Sequence, residues 1–218
     1  MREYQQDFLA LALEYQALRF GEFTLKSGRT SPYFFNAGRF NDGAALARLG
    51  RCYAAALAHS GLGFDMLFGP AYKGIPLVSA CAIACAEQQA RNLPWAFNRK
   101  EAKTHGESGL IVGSELAGRV VIVDDVITAG TAVRESIELI RASGAKPVAV
   151  ALALDRQERG QGALSAVQEV KGEFGLECVS ILTLDGLIET LESRSMRGFE
   201  PAQLDGLRNY RQKYGVIA

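Results

Sequence analysis

The sequence predicts an α/β protein with a central, mostly parallel sheet flanked by helices, and three observations carry that expectation. Short apolar runs recur along the chain: D-M-L-F-G ending at Gly69, R-V-V-I-V ending at Val123, V-A-V-A-L-A-L ending at Leu154 and V-S-I-L-T-L ending at Leu184. They are continuous rather than alternating, as strands buried on both faces are. Segments of helical character separate them, and strands that alternate with helices build a parallel sheet. With 218 residues, 48% of them hydrophobic, the chain also has enough apolar surface for one large core, so a single domain over residues 1–218 is expected.

Each element has its own local reason. Tyr4, Phe8, Leu11, Tyr15 and Leu18 recur at alternating spacings of four and three, an apolar stripe on an N-terminal helix. F-T-L-K-S-G-R-T-S-P-Y-F-F-N then reads as two short strands around a glycine-containing turn, because aromatics and threonines flank K-S-G-R. The alanine- and leucine-rich stretch from Asp42 to His59 predicts a helix that G-L-G ends. After the strand D-M-L-F-G come a helix from Ile75 to Ala90, a strand near Trp95 to Asn98, a polar loop, and the strand that ends at Asp124. The pattern repeats as a helix over Thr131 to Ala142, two further strands, and a helix from Asp185 to Glu192. No internal repeat, low-complexity tract or interdomain linker interrupts it.

Composition narrows the function. Lys+Arg and Asp+Glu both total 24, so no global field draws in nucleic acid or anionic membrane, and any anion site must be built locally. Cys52, Cys81, Cys85 and Cys178 form no C-x-x-C pair, and two histidines are too few for a zinc site of usual spacing. Cys81 and Cys85, in an alanine-rich helix, read as small apolar packing groups. His59, at an apparent helix C-terminus, reads as structural. The start M-R-E-Y-Q-Q-D-F is charged where a signal peptide needs an apolar run, and no apolar stretch nears the ~18 residues of a membrane span. The expectation is a cytoplasmic protein in a reducing compartment, with no membrane or nucleic-acid partner.

The chemistry concentrates in V-V-I-V-D-D-V-I-T-A-G-T-A, Val120 to Ala132. Ligands of open α/β sheets bind beyond the carboxyl ends of the strands, which is where Asp124 and Asp125 fall. The loop Thr128-Ala129-Gly130-Thr131 then supplies hydroxyls and an unhindered backbone just before a helix whose first N–H groups lack internal partners, an arrangement that cradles phosphate. Carboxylates repel phosphate, but they accept hydrogen bonds from a ribose diol and help hold hydrated magnesium. Together the residues call for a sugar phosphate. No G-x-x-x-x-G-K-[ST] occurs, and no G-x-G-x-x-G follows a strand, so P-loop and dinucleotide folds are disfavoured. The threonine-glycine loop and the chain's length argue against a phospho-accepting receiver domain.

Strand, acid pair, loop and helix in this order resemble the phosphoribosyl-diphosphate signature of type I phosphoribosyltransferases. The resemblance implies that family's fold, with a small N-terminal hood over residues 1–40 and a flexible catalytic loop over residues 99–110. It also implies that Asp124, Asp125, Val126, Ile127, Thr128, Ala129, Gly130, Thr131 and Ala132 hold the ribose phosphate, with Mg2+ carried mainly by substrate and water. G-P-A-Y-K-G, a tight turn leading into a helix, resembles the family's diphosphate loop and contributes Tyr72 and Lys73. On its own it would read as a surface turn with a solvated lysine. Arg99, Lys100, Lys103 and His105 crowd into R-K-E-A-K-T-H before G-E-S-G; a solvated charge run is the plain reading. Flanking glycines suggest instead a lid that places cations against the leaving group. It looks like the family's catalytic lid, with Lys103 the residue most important for rate and His105 a diphosphate or proton donor. In that family the lid reaches the neighbouring subunit's active site, which implies a homodimer.

The acceptor is indicated elsewhere. Lys26 to Asn36, K-S-G-R-T-S-P-Y-F-F-N, resembles the N-terminal segment of the family's orotate-using members, which implies that Lys26 contacts both substrates and that Phe34 and Phe35 line the base site. Thr128 and Arg156 complete the implied orotate set, Arg156 meeting the carboxylate that uracil lacks. The expected reaction is transfer of ribose 5-phosphate from 5-phospho-α-D-ribose 1-diphosphate to orotate. The alternatives are transfer to a purine, or a regulator that binds the donor without turnover. The basic lid favours an enzyme, and no helix pair with a basic face marks a repressor.

Overall fold

The computed structural model describes residues 1–25, 27–103, 109–128, 130–160, 162–193 and 200–216. Its frame is a six-stranded sheet in the order β5-β4-β3-β6-β7-β8. The strands are β3 (Met66–Gly69), β4 (Trp95–Lys103), β5 (Gly109–Gly113), β6 (Arg119–Asp124), β7 (Lys146–Asp155) and β8 (Glu177–Thr183). All neighbours pair parallel except β4 and β5, which form an antiparallel edge. From β3 the chain goes to β4 on one side, then crosses to β6 on the other. The strand order therefore reverses between β3 and β6, the place where α/β sheets open a ligand crevice.

Helices cover both faces. Val121, Val123, Ala149, Ala151 and Ala153 point into a core closed by α1 (Glu3–Glu14), α2 (Gly43–Ser60), α3 (Gly74–Gln89), α6 (Leu184–Glu192) and α7 (Pro201–Tyr214). Their alternates Val120, Ile122, Val150 and Leu152 meet Val133, Ile137 and Ile140 of α4 (Thr131–Ala142) and Val170 of α5 (Ala166–Phe174). Burial on both faces is why these strands read as unbroken apolar runs. The cysteines of α3 pack as expected, both fully buried. His59 lies in the last turn of α2 and holds the Ala55 carbonyl at 3.2 Å through Nδ1, beside the ring of Tyr4.

Helices α2 and α3 approach closely where a Cβ at Gly50 would overlap the carbonyl of Ala80. Gly50→Ala is accordingly expected to destabilise by about 1–3 kcal/mol, the cost of overpacking a fitted core. A drop in the urea midpoint with unchanged m would register it.

Three elements depart from the sequence reading. The apolar stripe of α1 ends at Glu14, and Leu18 opens β1 (Leu18–Thr24) instead, because Gln16 has φ 53 and breaks the helix. The polar loop expected after Asn98 is strand through Lys103, with Lys103 paired to Gly109. Past Phe97 the described pairing of β4 is with β5 and no longer with β3, and a strand open on one side tolerates charge, so R-K-E-A-K conceals one. Helix α5 was not anticipated, although its capping box, Ser165 with Gln168, is written in the sequence.

The hood consists of β1 paired antiparallel with β2 (Thr30–Phe35). It rests on α1 through Phe35 and Phe8, ring centroids 6.1 Å apart, and on α7 through the edge-on rings of Tyr33 and Tyr210 at 6.2 Å. Arg29 ties it to the segment after β7, donating to the carbonyls of Arg159 at 2.6 Å and Gly160 at 3.1 Å.

Candidate active site

The carboxyl ends of β3, β6 and β7 bring the expected residues to one edge of the sheet. Asp124 ends β6 and is 8% exposed; Asp125 follows at 5%. The pair is organised from below. Tyr53 of α2 donates its hydroxyl to the Asp124 carbonyl at 2.7 Å, and the Asp125 carbonyl accepts the Ala153 N–H at 2.9 Å. Asp124 Oδ1 accepts the Asp125 N–H, and Asp125 Oδ1 the Val126 N–H, both at 2.9 Å. Burial, followed by the neighbouring Asp125 charge, pushes the Asp124 carboxyl up to about 7. In the free protein this site is short of positive charge and hydrogen-bond donors, which a cationic or hydroxyl-rich ligand would supply.

Lys73 closes the crevice from the β3 side. Its Nζ lies 2.6 Å from Asp125 Oδ2, with the lysine side chain 61% exposed and the aspartate 7%. The turn that carries it is tightly built, since a Cβ at Gly69 would strike Gly74 and Val78, and one at Gly74 would strike Pro70. Asn98 of the neighbouring strand β4 braces the turn, accepting the Ala71 N–H at 2.9 Å. Tyr72 is 71% exposed at the rim. The Ala71–Tyr72 peptide is cis.

The loop after Asp125 runs into α4. Val126 packs against one core and Ile127 against the other, so these two offer backbone rather than side chain to a ligand. Thr128 and Thr131 are exposed and Gly130 is buried. Gly130 adopts φ 76 and ψ 2, a left-handed conformation that favours glycine, and it caps α4 without a side-chain acceptor. The first turn of α4 carries no acidic residue, so its N–H groups are left for an anion. Ala132 lies in that turn.

Of the residues expected to line the base site, Phe34 and Phe35 are adjacent on a strand, face opposite ways and separate accordingly. Phe35 is buried against Phe8 and Phe40, whereas Phe34 meets Phe23 with tilted rings at 5.5 Å on the other face beneath the Arg19 guanidinium. The ring of Phe35 thus serves the core. Its backbone is oriented differently: Asn36 donates to Ala17, which makes the next pair, Leu18 with Phe35, a non-hydrogen-bonded one. The N–H and C=O of Phe35 therefore point away from β1. Arg156 follows β7, its guanidinium 4.2 Å over the ring of Tyr33 and bonded to Glu158 and Ser31.

Arg99 donates to the Gly109 carbonyl at 3.3 Å and Lys100 is exposed, both on β4. Lys26, His105 and Ala129 lie outside the described residues, as does the side chain of Lys103. Sequence reasoning missed Tyr53, Asn98 and Glu158. Only Asn98, a lone amide ending the apolar run W-A-F-N, carried a local signal.

An acid pair on the middle strand, an uncapped helix behind it and a lysine turn across the switch point define a protein that handles phosphorylated ribose. A model of the phosphoribosyl transferase domain matches residues 36–171, and the chain belongs to that family. Within it, the chain is a member of the orotate phosphoribosyltransferases. It is 62% identical over 216 residues to the orotate phosphoribosyltransferase of Thioalkalivibrio sulfidiphilus, covering 99% of this chain and 100% of that protein. The crystal structure of orotate phosphoribosyltransferase from Francisella tularensis superposes with a TM-score of 0.86 at 41% identity, covering 95% of this chain and 98% of that one. That of Mycobacterium tuberculosis in complex with 5-phospho-α-D-ribosyl 1-diphosphate superposes at 0.61 and 26% identity, over 83% of this chain and 98% of that one.

Proposed function

We propose that the chain joins N1 of orotate to C1 of 5-phospho-α-D-ribose 1-diphosphate, releasing diphosphate and forming orotidine 5'-monophosphate. The observation that carries this is the contact of Lys73 with Asp125 across the crevice, which sets the diphosphate loop against the ribose carboxylates. Orotate can present an anionic ring nitrogen, so no strong protein base is needed. The work is positioning and charge stabilisation. Asp124 and Asp125 accept the ribose hydroxyls and favour positive charge on the sugar as its bond to diphosphate lengthens. The loop Thr128 to Thr131 and the start of α4 hold the 5-phosphate. Lys73 leaves Asp125 for the departing diphosphate, joined by Arg99, Lys100, Lys103 and His105 from the lid. The base stacks at Phe34, bonds the Phe35 backbone and Thr128, and gives its carboxylate to Arg156; Lys26 contacts both substrates.

Among the described residues no three His, Cys, Asp or Glu side chains gather to hold a metal. Two carboxylates, one of them engaged by Lys73, suit a magnesium ion that keeps waters and takes most of its oxygens from the substrate. When bound, the ion would neutralise the diphosphate charge. The reading extends to a homodimer, for which Ile83, 59% exposed on α3, offers apolar surface. It extends also to a cytoplasmic location, in keeping with four free cysteines. No helix among the described residues is long and apolar enough to cross a membrane.

Ultraviolet monitoring tests the reading. Orotate absorbance is expected to fall when the purified protein, the ribose donor and magnesium are combined, and to hold steady with a chelator. Consumption of a purine such as adenine with orotate untouched would reject it.

A further inference from the structure

Arg156 is not free in this structure. A single oxygen, Glu158 Oε1, takes its Nε at 2.7 Å and its Nη2 at 2.6 Å. Nη2 also donates to Ser31 Oγ at 3.1 Å. A carboxylate gripped by two parallel N–H bonds needs two donors on one edge of the guanidinium. The Nε–Nη2 edge is occupied and Nη2 is shared, so an incoming carboxylate meets an arginine that is already paired. The pair is well shielded, its side chains 15% and 13% exposed, so the Glu158 charge is felt strongly by any second anion brought to Arg156.

Directly beside this pair stands a group without a well-formed hydrogen bond. Tyr210 of α7 is 5% exposed, and its hydroxyl has no hydrogen-bond partner among the described residues. Burial raises its pKa first and the Glu158 charge next, with Arg156 opposing. Both groups also act on it as weak side-chain hydrogen-bond partners, so the hydroxyl lies at the edge of bonding reach of both without a well-formed bond to either. Tyr33, packed edge-on against Tyr210, already donates weakly to Glu158 Oε1 at 3.4 Å. A buried hydroxyl without a well-formed bond is unfavourable, and a role in binding is one reason a structure retains it.

We propose that Glu158 stands in for the substrate carboxylate on Arg156 in the empty enzyme and, as orotate binds, passes to the hydroxyls of Tyr210 and Tyr33, freeing the arginine edge. Glu158 is then a specificity-setting residue that tempers the hold on a carboxylated pyrimidine, and Tyr210 is the acceptor site that makes the exchange possible. The product keeps the same carboxylate, so the exchange reversed assists its release. This rests on the assignment of Arg156 to the orotate carboxylate.

The test uses the full chain and orotate itself. Glu158→Gln keeps shape and an acceptor oxygen but removes the competing charge, and should tighten orotate binding at least tenfold, with donor affinity unchanged. Tyr210→Phe removes only the unpartnered hydroxyl and should weaken orotate binding about fivefold or more, again leaving the donor unaffected. In the double variant there is no charge to relocate, so Tyr210→Phe should add nothing to Glu158→Gln. Titration calorimetry gives the affinities and orotate KM against donor KM the kinetic counterpart; a merely structural role would not produce opposite signs confined to one substrate. If Glu158→Gln leaves orotate binding equal or weaker, or Tyr210→Phe leaves it unchanged, the exchange is overturned. Should Glu158→Gln fail to fold, Tyr210→Phe decides alone. Arg156→Ala separates the two levels: orotate affinity untouched by it refutes the assignment of Arg156, whereas a loss of a hundredfold beside unresponsive Glu158 and Tyr210 variants refutes the exchange only.

Discussion

Turnover of Lys103→Ala is expected to fall by about 10²–10³, the loss typical when one donor aimed at developing charge is removed. Far-ultraviolet circular dichroism and donor affinity should stay near those of the parent. Lys103 ends β4 and pairs with Gly109, so the strand delivers this residue to the start of the 104–108 connection, which lies outside the described residues. The resemblance makes this connection the lid. A lysine that meets diphosphate only as the bond to C1 breaks contributes to the transition state and little to ground-state binding, so kcat should fall while donor affinity holds. Single-turnover kinetics with saturating donor would check it, and unchanged turnover would dismiss the lid assignment.

Asp124→Asn should do two things at once, gain stability and lose catalysis. The folded carboxyl titrates at about 7 against an ordinary 3.8, because burial and then Asp125 disfavour its charge. A group whose pKa is raised on folding stabilises fully below its unfolded value, and that contribution is lost as pH rises through the folded value. Asp124 therefore costs the ligand-free protein stability progressively from about pH 4 up to pH 7 and above. The asparagine, which cannot ionise, should be more stable than the parent by ~2–4 kcal/mol at pH 8, from about 1.4 kcal/mol per pKa unit. The gap should close towards pH 4. Thermal unfolding from pH 4 to pH 8 would measure it, and a gap independent of pH would contradict the burial argument. Catalysis should fall by about 10² or more, since a neutral amide cannot balance charge on the sugar. Function is here held at the expense of stability.

Much of the site was legible because its signals are local. A buried strand ending in two carboxylates, a glycine before a helix and a lysine turn are each contiguous, and their place at the ligand edge follows from the rule for parallel sheets. What escaped depends on distant partners. Nothing near Glu158 in sequence says that its oxygen will sit on Arg156 under Tyr33, 125 residues earlier. Tyr53 is one aromatic in an alanine-rich helix until its hydroxyl meets Asp124, 71 residues on. Phe34 and Phe35 were visible as a pair, but only the register with β1 separates the ring that faces the hood surface from the ring that faces the core. The stretch of β4 through Lys103, which runs past the end of β3, was hidden by its charge, which is how open strand sides avoid sticking to one another.

The hood and the final helix lie at opposite ends of the chain yet touch through Tyr33 and Tyr210, and Arg29 reaches the backbone of Arg159. During synthesis the sheet can close before the fourteen-residue α7 leaves the ribosome, whereas the hood cannot complete its packing until α7 arrives. A nascent chain halted short of Pro201 would carry Asp124, Asp125 and Arg156 but lack the Tyr210 ring that packs edge-on against Tyr33.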